Sequence, residues 1–143
     1  MKNNKNNLKI MTIFIMIILI TDQISKIIAY KNGTAISQDE NGLNNKGYYI
    51  IMTIIVIIMT IRYIANDNTF VKLDTKIILS FGIAGAIGNL IDRIWNKNVI
   101  VFIKLGESLN VNFAYIYVAI AWIGMAVILA KNTIKIIREK NKL

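Results

Sequence analysis

Four long apolar blocks dominate this chain and most narrowly limit the structures that it can form. An α-helix needs roughly 20 predominantly apolar residues to cross the hydrocarbon core of a bilayer, which is about 30 Å thick. The blocks run from Leu8 to Ala29, from Tyr48 to Ile64, from Ile77 to Ile91 and from Val111 to Ala130. The sequence therefore predicts an all-α integral membrane protein with four transmembrane helices. These spans form one domain over residues 1–143, ending in a basic tail at 131–143.

The distribution of charge predicts the orientation of these spans. The chain has 17 basic and 8 acidic side chains, a net charge of +9. If both termini and the loop from Arg62 to Lys76 are cytoplasmic, these segments hold 11 of the 17 basic residues and three acids. Cytoplasmic segments of membrane proteins carry such an excess of Lys and Arg. We therefore expect cytoplasmic termini, with the basic tail resting against anionic lipid headgroups. No nucleic-acid partner is expected, because no base-stacking or groove-reading module accompanies the charge.

The composition also restricts the chemistry. The chain has no cysteine and no histidine, which excludes thiolate catalysis and disulfides and removes the commonest metal ligand and neutral-pH base. Metal-ligand clusters and phosphate-binding glycine motifs are also missing from the sequence, so no metal, nucleotide or redox cofactor is expected. Hydrolytic chemistry in this chain would have to use carboxylates, hydroxyls or amines.

Two segments are predicted on the outer side of the membrane, Lys31 to Gly47 and Arg93 to Asn110. The first is rich in Asn, Gly and acidic residues, which favour turns. The second contains a β-branched run from Val99 to Ile103, which predicts a short strand. Together they predict a small outer platform of loops and short strands beside the helices.

Small residues recur along the third span. Gly82 and Ala86 are four residues apart, as are Ala84 and Gly88. In lipid, this spacing allows the backbones of two helices to approach closely. We therefore expect the third helix to pack tightly within the bundle and to fix the position of the polar residues at its end.

Polar residues cluster at the predicted outer ends of the spans. Asp22 and Lys26 are four residues apart, so they lie on one helical face and can neutralise each other. Asn89, Asp92 and Arg93 have similar spacing at the end of the third span. Ionisable groups within membrane segments are costly to desolvate and mark a functional site by default. We expect the following residues to converge near the outer surface: Asp22, Lys26, Asn32, Asn89, Asp92, Arg93 and Asn112.

Three of these polar segments give the chain a family resemblance. They run from Thr21 to Lys26, from Gly85 to Arg93 and from Asn112 to Ala114. They resemble the signature segments of the bacterial lipoprotein signal peptidases, the signal peptidase II family. The Gly-Asn-Leu-Ile-Asp-Arg stretch is the most specific match, and Asn32 to Ser37 is a weaker one. The resemblance covers nearly the whole chain, since the spans and the order of the motifs agree.

The resemblance implies an intramembrane aspartic peptidase of the bacterial plasma membrane. Members of this family cleave prolipoproteins just before a lipid-modified cysteine, so it implies diacylglyceryl-modified prolipoproteins as partners. Its mechanism uses two aspartates near the outer boundary. One is ionised and activates water, and the other is protonated and polarises the scissile carbonyl; two carboxyl groups in close proximity can take these opposite roles at one pH.

Both positions of that catalytic pair differ in this chain. The family's first aspartate lies in a Val-Val-Asp-Phe-like segment, where this chain has Val101. Its second ends a Phe-Asn-x-Ala-Asp segment, where this chain has Tyr115. Valine has no proton to exchange, and the tyrosine hydroxyl is a poor general base near neutral pH. The resemblance therefore predicts a catalytically impaired family member that lacks both catalytic aspartates.

Three functions remain open on the sequence alone. The first is a non-catalytic family member whose groove binds prolipoproteins, an active signal peptidase II or an inhibitor of that enzyme. In this case the polar residues either form the groove or only hold the bundle together through buried hydrogen bonds. The second is a working peptidase that uses displaced acids, Asp92 and Asp22, although Arg93 and Lys26 offer each acid an ion-pair partner. The third is an unrelated four-span protein, such as an immunity protein or a channel subunit.

Overall fold

Four long helices and four short strands make up the fold. The structure, a computed structural model, describes residues 2–38, 46–65, 72–107 and 109–141. The helices are α1 (Lys2–Lys31), α2 (Lys46–Ala65), α3 (Leu73–Trp95) and α4 (Phe113–Lys140). The strands are β1 (Ile36–Gln38), β2 (Val99–Val101), β3 (Ile103–Leu105) and β4 (Leu109–Val111). Each helix contains a segment long and apolar enough to cross a membrane, which confirms the predicted four-helix membrane fold with a small β region.

The helices extend beyond the apolar blocks that predicted them. Helix α4 begins two residues after the start of its predicted block, because Val111 ends β4 and Asn112 caps the helix. The Asn112 side-chain oxygen accepts a hydrogen bond from the Tyr115 amide at 2.9 Å, which satisfies one of the free amides of the first turn. The predicted outer segment 31–47 and inner loop 62–76 fall partly outside the described residues.

Helix α3 is the centre of the bundle, since it packs against each of the other three helices. Its small residues make this possible, as predicted. A Cβ atom added to Gly85 would lie 2.5 Å from the Ala114 carbonyl oxygen, and one added to Gly82 would lie 3.1 Å from Ala121 Cβ. The backbones of α3 and α4 therefore nearly touch. This contact holds the C-terminal end of α3 against the N-terminal end of α4.

The outward surfaces of the helices are apolar. In α2, the side chains of Ile51, Ile55, Ile58 and Met59 are all exposed. Such a surface is costly in water but is expected where helices face lipid acyl chains. The buried core is correspondingly small, and one cluster consists of Met11, Ile64 and Ile83.

The β region consists of two separate antiparallel pairs, β1 with β2 and β3 with β4. The predicted strand over residues 99–103 is therefore divided at Phe102. Val101 is opposite Ile36 in the first pair, and Ile103 is opposite Val111 in the second. The division occurs because the chain changes partner strands at this point. Phe102 is itself held by a hydrogen bond from its amide to the Val111 carbonyl, at 3.1 Å.

Candidate functional site

A buried ammonium group lies between two buried carboxylates at one end of the helix bundle. Lys26 Nζ is 2.6 Å from Asp22 Oδ2 and 2.8 Å from Asp92 Oδ2. The three side chains are 3%, 0% and 1% exposed. One lysine of α1 thus forms ion pairs with an acid on its own helix and with another on α3. Buried charges are tolerated only when they are paired and hydrogen-bonded in this way.

Asp22 also connects α1 to the start of α4. Its Oδ1 accepts a hydrogen bond from the Ala114 amide at 2.8 Å, where the helix N-terminus favours a negative charge. The Gln23 side-chain amide donates to Asp22 Oδ2 at 3.2 Å and to the Gly88 carbonyl at 3.3 Å. A Cβ atom on Gly88 would lie 2.6 Å from Asp22 Oδ2. The carboxylate therefore fits only because residue 88 has no side chain.

The same network fixes the backbone of Ile100 in β2. Its amide donates to Asp92 Oδ2 at 3.2 Å, and its carbonyl accepts from the Asn112 side-chain amide at 2.7 Å. The Asn112 side chain also donates to Asn89 Oδ1 at 2.9 Å, and Lys26 donates to this same oxygen at 3.4 Å. Backbone and side-chain polar groups from three helices and one strand therefore satisfy one another. Such connected polar networks favour a single arrangement of the groups that they join.

The two positions at which the sequence predicts replaced catalytic acids are attached directly to this network. Val101 follows Ile100 at the end of β2 and is fully buried. Tyr115 lies in the first turn of α4, where its amide is bonded to Asn112, and it is half-buried. The backbone at both positions is therefore held by groups that the sequence had marked as site residues.

An apolar groove reaches Tyr115 between the β3–β4 hairpin and α4. Its volume is about 380 Å³, which lies within the range of small-molecule sites. Leu105 and Leu109, at its edge, are both more than half exposed. The groove is lined by Leu105, Leu109, Asn110, Val111, Tyr115, Ile116 and Ala119. A ligand with an apolar portion could contact Tyr115 through this groove.

The structure brings together five of the seven site residues expected from the sequence. They are Asp22, Lys26, Asn89, Asp92 and Asn112. Asn32 lies exposed in the turn after α1, outside the network. Arg93 follows Asp92 and is half-buried.

Two groups in the network were not expected from the sequence. Gln23 lies within the first signature segment, but it is adjacent to Asp22, and neighbouring residues usually point to different sides of a helix. Nothing in the sequence indicates that the backbone of Ile100 takes part in the network. Among the described residues, no group of three or more acidic side chains could hold a metal ion.

The chain is similar to lipoprotein signal peptidases in both sequence and fold. The family model described as signal peptidase (SPase) II matches residues 29–131. The lipoprotein signal peptidase of Buchnera aphidicola subsp. Schizaphis graminum (strain Sg) is 40% identical over 102 residues, which cover 68% of this chain and 62% of that protein. This chain therefore matches less than two thirds of the length of that relative.

Two solved structures have the same fold. Both are titled as bacterial membrane enzymes determined by the in meso method, at 2.3 Å and 1.9 Å resolution. The first has a TM-score of 0.75 at 22% sequence identity, with 87% of this chain and 90% of that chain covered. The second has a TM-score of 0.73 at 22% identity, with 85% and 92% covered.

Proposed function

The chain belongs to the signal peptidase II family of bacterial multi-pass membrane proteins, and from this premise we propose that it binds lipid-modified prolipoprotein signal peptides without cleaving them. Family membership argues against an unrelated channel or immunity protein. Binding without cleavage requires that the buried polar network around the site is kept while the two catalytic acids are lost.

One observation carries the proposal. The buried network fixes the backbone beside both family acid positions, and those positions hold Val101 and Tyr115. The network places five buried polar residues around these two positions although their desolvation is costly in a membrane protein. The retained frame supports binding, and the two replaced acids support the loss of catalysis.

The chemistry of the replaced positions supports the same conclusion. Aspartic peptidases need one carboxylate as a base and one carboxylic acid as a proton donor. Val101 can do neither. Tyr115 can donate a hydrogen bond to a carbonyl but does not readily deprotonate water near neutral pH. A peptide carbonyl at Tyr115 could therefore be bound and oriented without being attacked.

The two carboxylates of the network are poorly suited to replace the missing pair. Asp22 and Asp92 are at most 1% exposed, and Lys26 lies within 2.8 Å of each. Asp22 also accepts the Ala114 amide, and Asp92 accepts the Ile100 amide. Acids with these partners have little remaining capacity to activate water, so their role in the proposal is structural.

The proposed orientation places this network on the outer side of the membrane. The network joins the C-terminal ends of α1 and α3 to the N-terminal end of α4, so all three ends lie on one side. The opposite end of α4 carries Lys131, Lys135, Arg138 and Lys140. The positive-inside rule favours a cytoplasmic location for that end. The site, at the other end of α4, would then face the outer leaflet.

Site-specific photo-crosslinking tests the binding proposal. With p-benzoylphenylalanine in place of Tyr115, a diacylglyceryl prolipopeptide should label the protein, because the groove is open at this position. The matched control carries the same group in place of Tyr63, an exposed aromatic residue in the last turn of α2. Labelling is read by mass spectrometry after tryptic digestion.

The lipidated peptide is expected to label position 115 and not position 63. The same peptide without its diacylglyceryl group should label position 115 much less, since it lacks the apolar part that would enter the groove. Equal labelling at both positions, or no labelling at 115, would show that the groove does not bind the peptide.

A further inference from the structure

The far end of α4 forms a second polar surface that the peptide site does not use. Helix α4 has 28 residues, which corresponds to about 42 Å at 1.5 Å per residue. The hydrocarbon core is only about 30 Å thick. Residues 113–130 contain no charged side chain and have a length of about 27 Å. The helix therefore leaves the hydrocarbon close to Lys131 and continues beyond it for ten residues.

This extension, residues 131–140, is strongly basic. It contains four basic residues and one acid, a net charge of +3, and every residue in it is exposed. Lys131, Lys135 and Arg138 are spaced at i, i+4 and i+7, so they form one stripe along the helix. The single acid, Glu139, is 3.8 Å from Lys135. This exposed ion pair is too weak to cancel the positive charge of the stripe.

The depth of this stripe matches the lipid headgroup layer. A bilayer including its headgroups is about 40–45 Å thick, so each headgroup layer adds roughly 5–7 Å beyond the hydrocarbon. Lys131 lies at its inner edge, and Lys135 is about 6 Å further along the helix axis. Both side chains are long enough to adjust the height of their ammonium groups. Lys131 and Lys135 are thus positioned to contact phosphate groups, and Arg138, about 10 Å beyond Lys131 along the axis, can reach back toward the layer with its long side chain.

Apolar residues beside the stripe point to the same partner. Ile134, Ile136 and Ile137 are 51%, 65% and 52% exposed. A basic stripe flanked by exposed apolar side chains is typical of helical segments that lie at a membrane interface. The segment contains no aromatic residue, so it has no platform on which a nucleic-acid base could stack.

From these observations we infer that residues 131–140 of α4 bind the headgroups of anionic phospholipids in the leaflet where α4 ends. Lys131 and Lys135 of the stripe contact the phosphates, and the side chain of Arg138 reaches back toward them from the outer side of the headgroup layer. Binding here does not depend on the peptide site, which lies at the other end of the same helix.

Lipid titration of the full-length chain tests this inference. Phosphatidylglycerol and phosphatidylcholine are added separately to the protein in a neutral detergent, and bound lipid is counted by native mass spectrometry. Each basic residue near an anionic surface contributes about 1 kcal/mol. The variant Lys131→Gln/Lys135→Gln/Arg138→Gln should therefore bind phosphatidylglycerol on the order of 100-fold more weakly at low salt. Its binding of phosphatidylcholine should not change.

A charge-matched variant distinguishes this surface from net charge alone. Lys31→Gln/Lys97→Gln/Lys104→Gln removes the same three charges from exposed positions near the other end of the bundle, and it should keep most of its phosphatidylglycerol binding. Lys131→Arg/Lys135→Arg should also bind normally, because it keeps both charges. Raising the salt from about 50 to about 500 mM should weaken binding to the unsubstituted chain. Equal affinity for both lipids, or equal losses in the two triple variants, would overturn the inference.

Discussion

The double substitution Val101→Asp/Tyr115→Asp is expected to give the chain prolipoprotein signal peptidase activity, which the proposed function denies to the unsubstituted protein. The substitution supplies a carboxyl group at each family acid position. Ile100 and Asn112 already fix the backbone there, so the new side chains would start from a held geometry. General acid-base assistance is worth about 10²- to 10⁴-fold. We expect a gain of this order, measured as release of the signal peptide from a diacylglyceryl prolipopeptide in detergent.

Three matched variants define what the gain means. Val101→Asn/Tyr115→Asn has nearly the same size and hydrogen-bonding capacity but no acid, so it should remain inactive. The single variants Val101→Asp and Tyr115→Asp should also be inactive, because the two acids work as a unit. If the double aspartate variant binds the peptide and still fails to cleave it, Val101 and Tyr115 do not occupy the family's acid positions.

The substitution Lys26→Met is expected to lower the stability of the folded protein more than any other single change in the network. It removes the ammonium group that lies between Asp22 and Asp92 and leaves two buried carboxylates facing each other. Breaking a buried ion pair in this way costs about 3–5 kcal/mol. The loss can be measured as a lower midpoint of unfolding when the purified protein in mild detergent is titrated with a denaturing detergent.

A compensated variant separates loss of charge balance from loss of packing. Asp22→Asn/Lys26→Met/Asp92→Asn removes all three charges and keeps side-chain oxygens that can accept the Ala114 and Ile100 amides. Replacing a complete ion pair is often nearly neutral, so the triple variant should recover most of the stability. If Lys26→Met alone unfolds like the unsubstituted protein, the network does not hold α1 and α3 together.

The sequence was sufficient to predict the membrane architecture. The first and fourth apolar blocks have the length that a bilayer requires, and the two shorter ones, from Tyr48 to Ile64 and from Ile77 to Ile91, can be extended at their ends. This length requirement comes from the solvent rather than from distant contacts. The small residues of the third span, among them Gly82 and Gly88, predicted a close helix approach for a similarly local reason, since a missing side chain is visible in the sequence. Both predictions match the structure.

The details of the site could be predicted only in part. The spacing of Asp22 and Lys26 indicated a pair on one face, but nothing local showed that Lys26 would also reach Asp92 on another helix. The pairing of β1 with β2 joins segments about 60 residues apart, and local propensity does not specify such contacts. Asn32 was expected in the site because it follows the first span, yet the turn after α1 leaves it exposed.

The central claim is that this family member binds prolipoproteins but does not cleave them, and a single-turnover cleavage assay tests it most directly. The unsubstituted protein is incubated in excess over a diacylglyceryl prolipopeptide in detergent, and intact and cleaved peptide are separated by mass spectrometry. The prediction is that the peptide binds and remains intact. Cleavage just before the lipid-modified cysteine that is lost in an Asp92→Asn variant still able to bind the peptide would contradict it and identify a working peptidase with displaced acids.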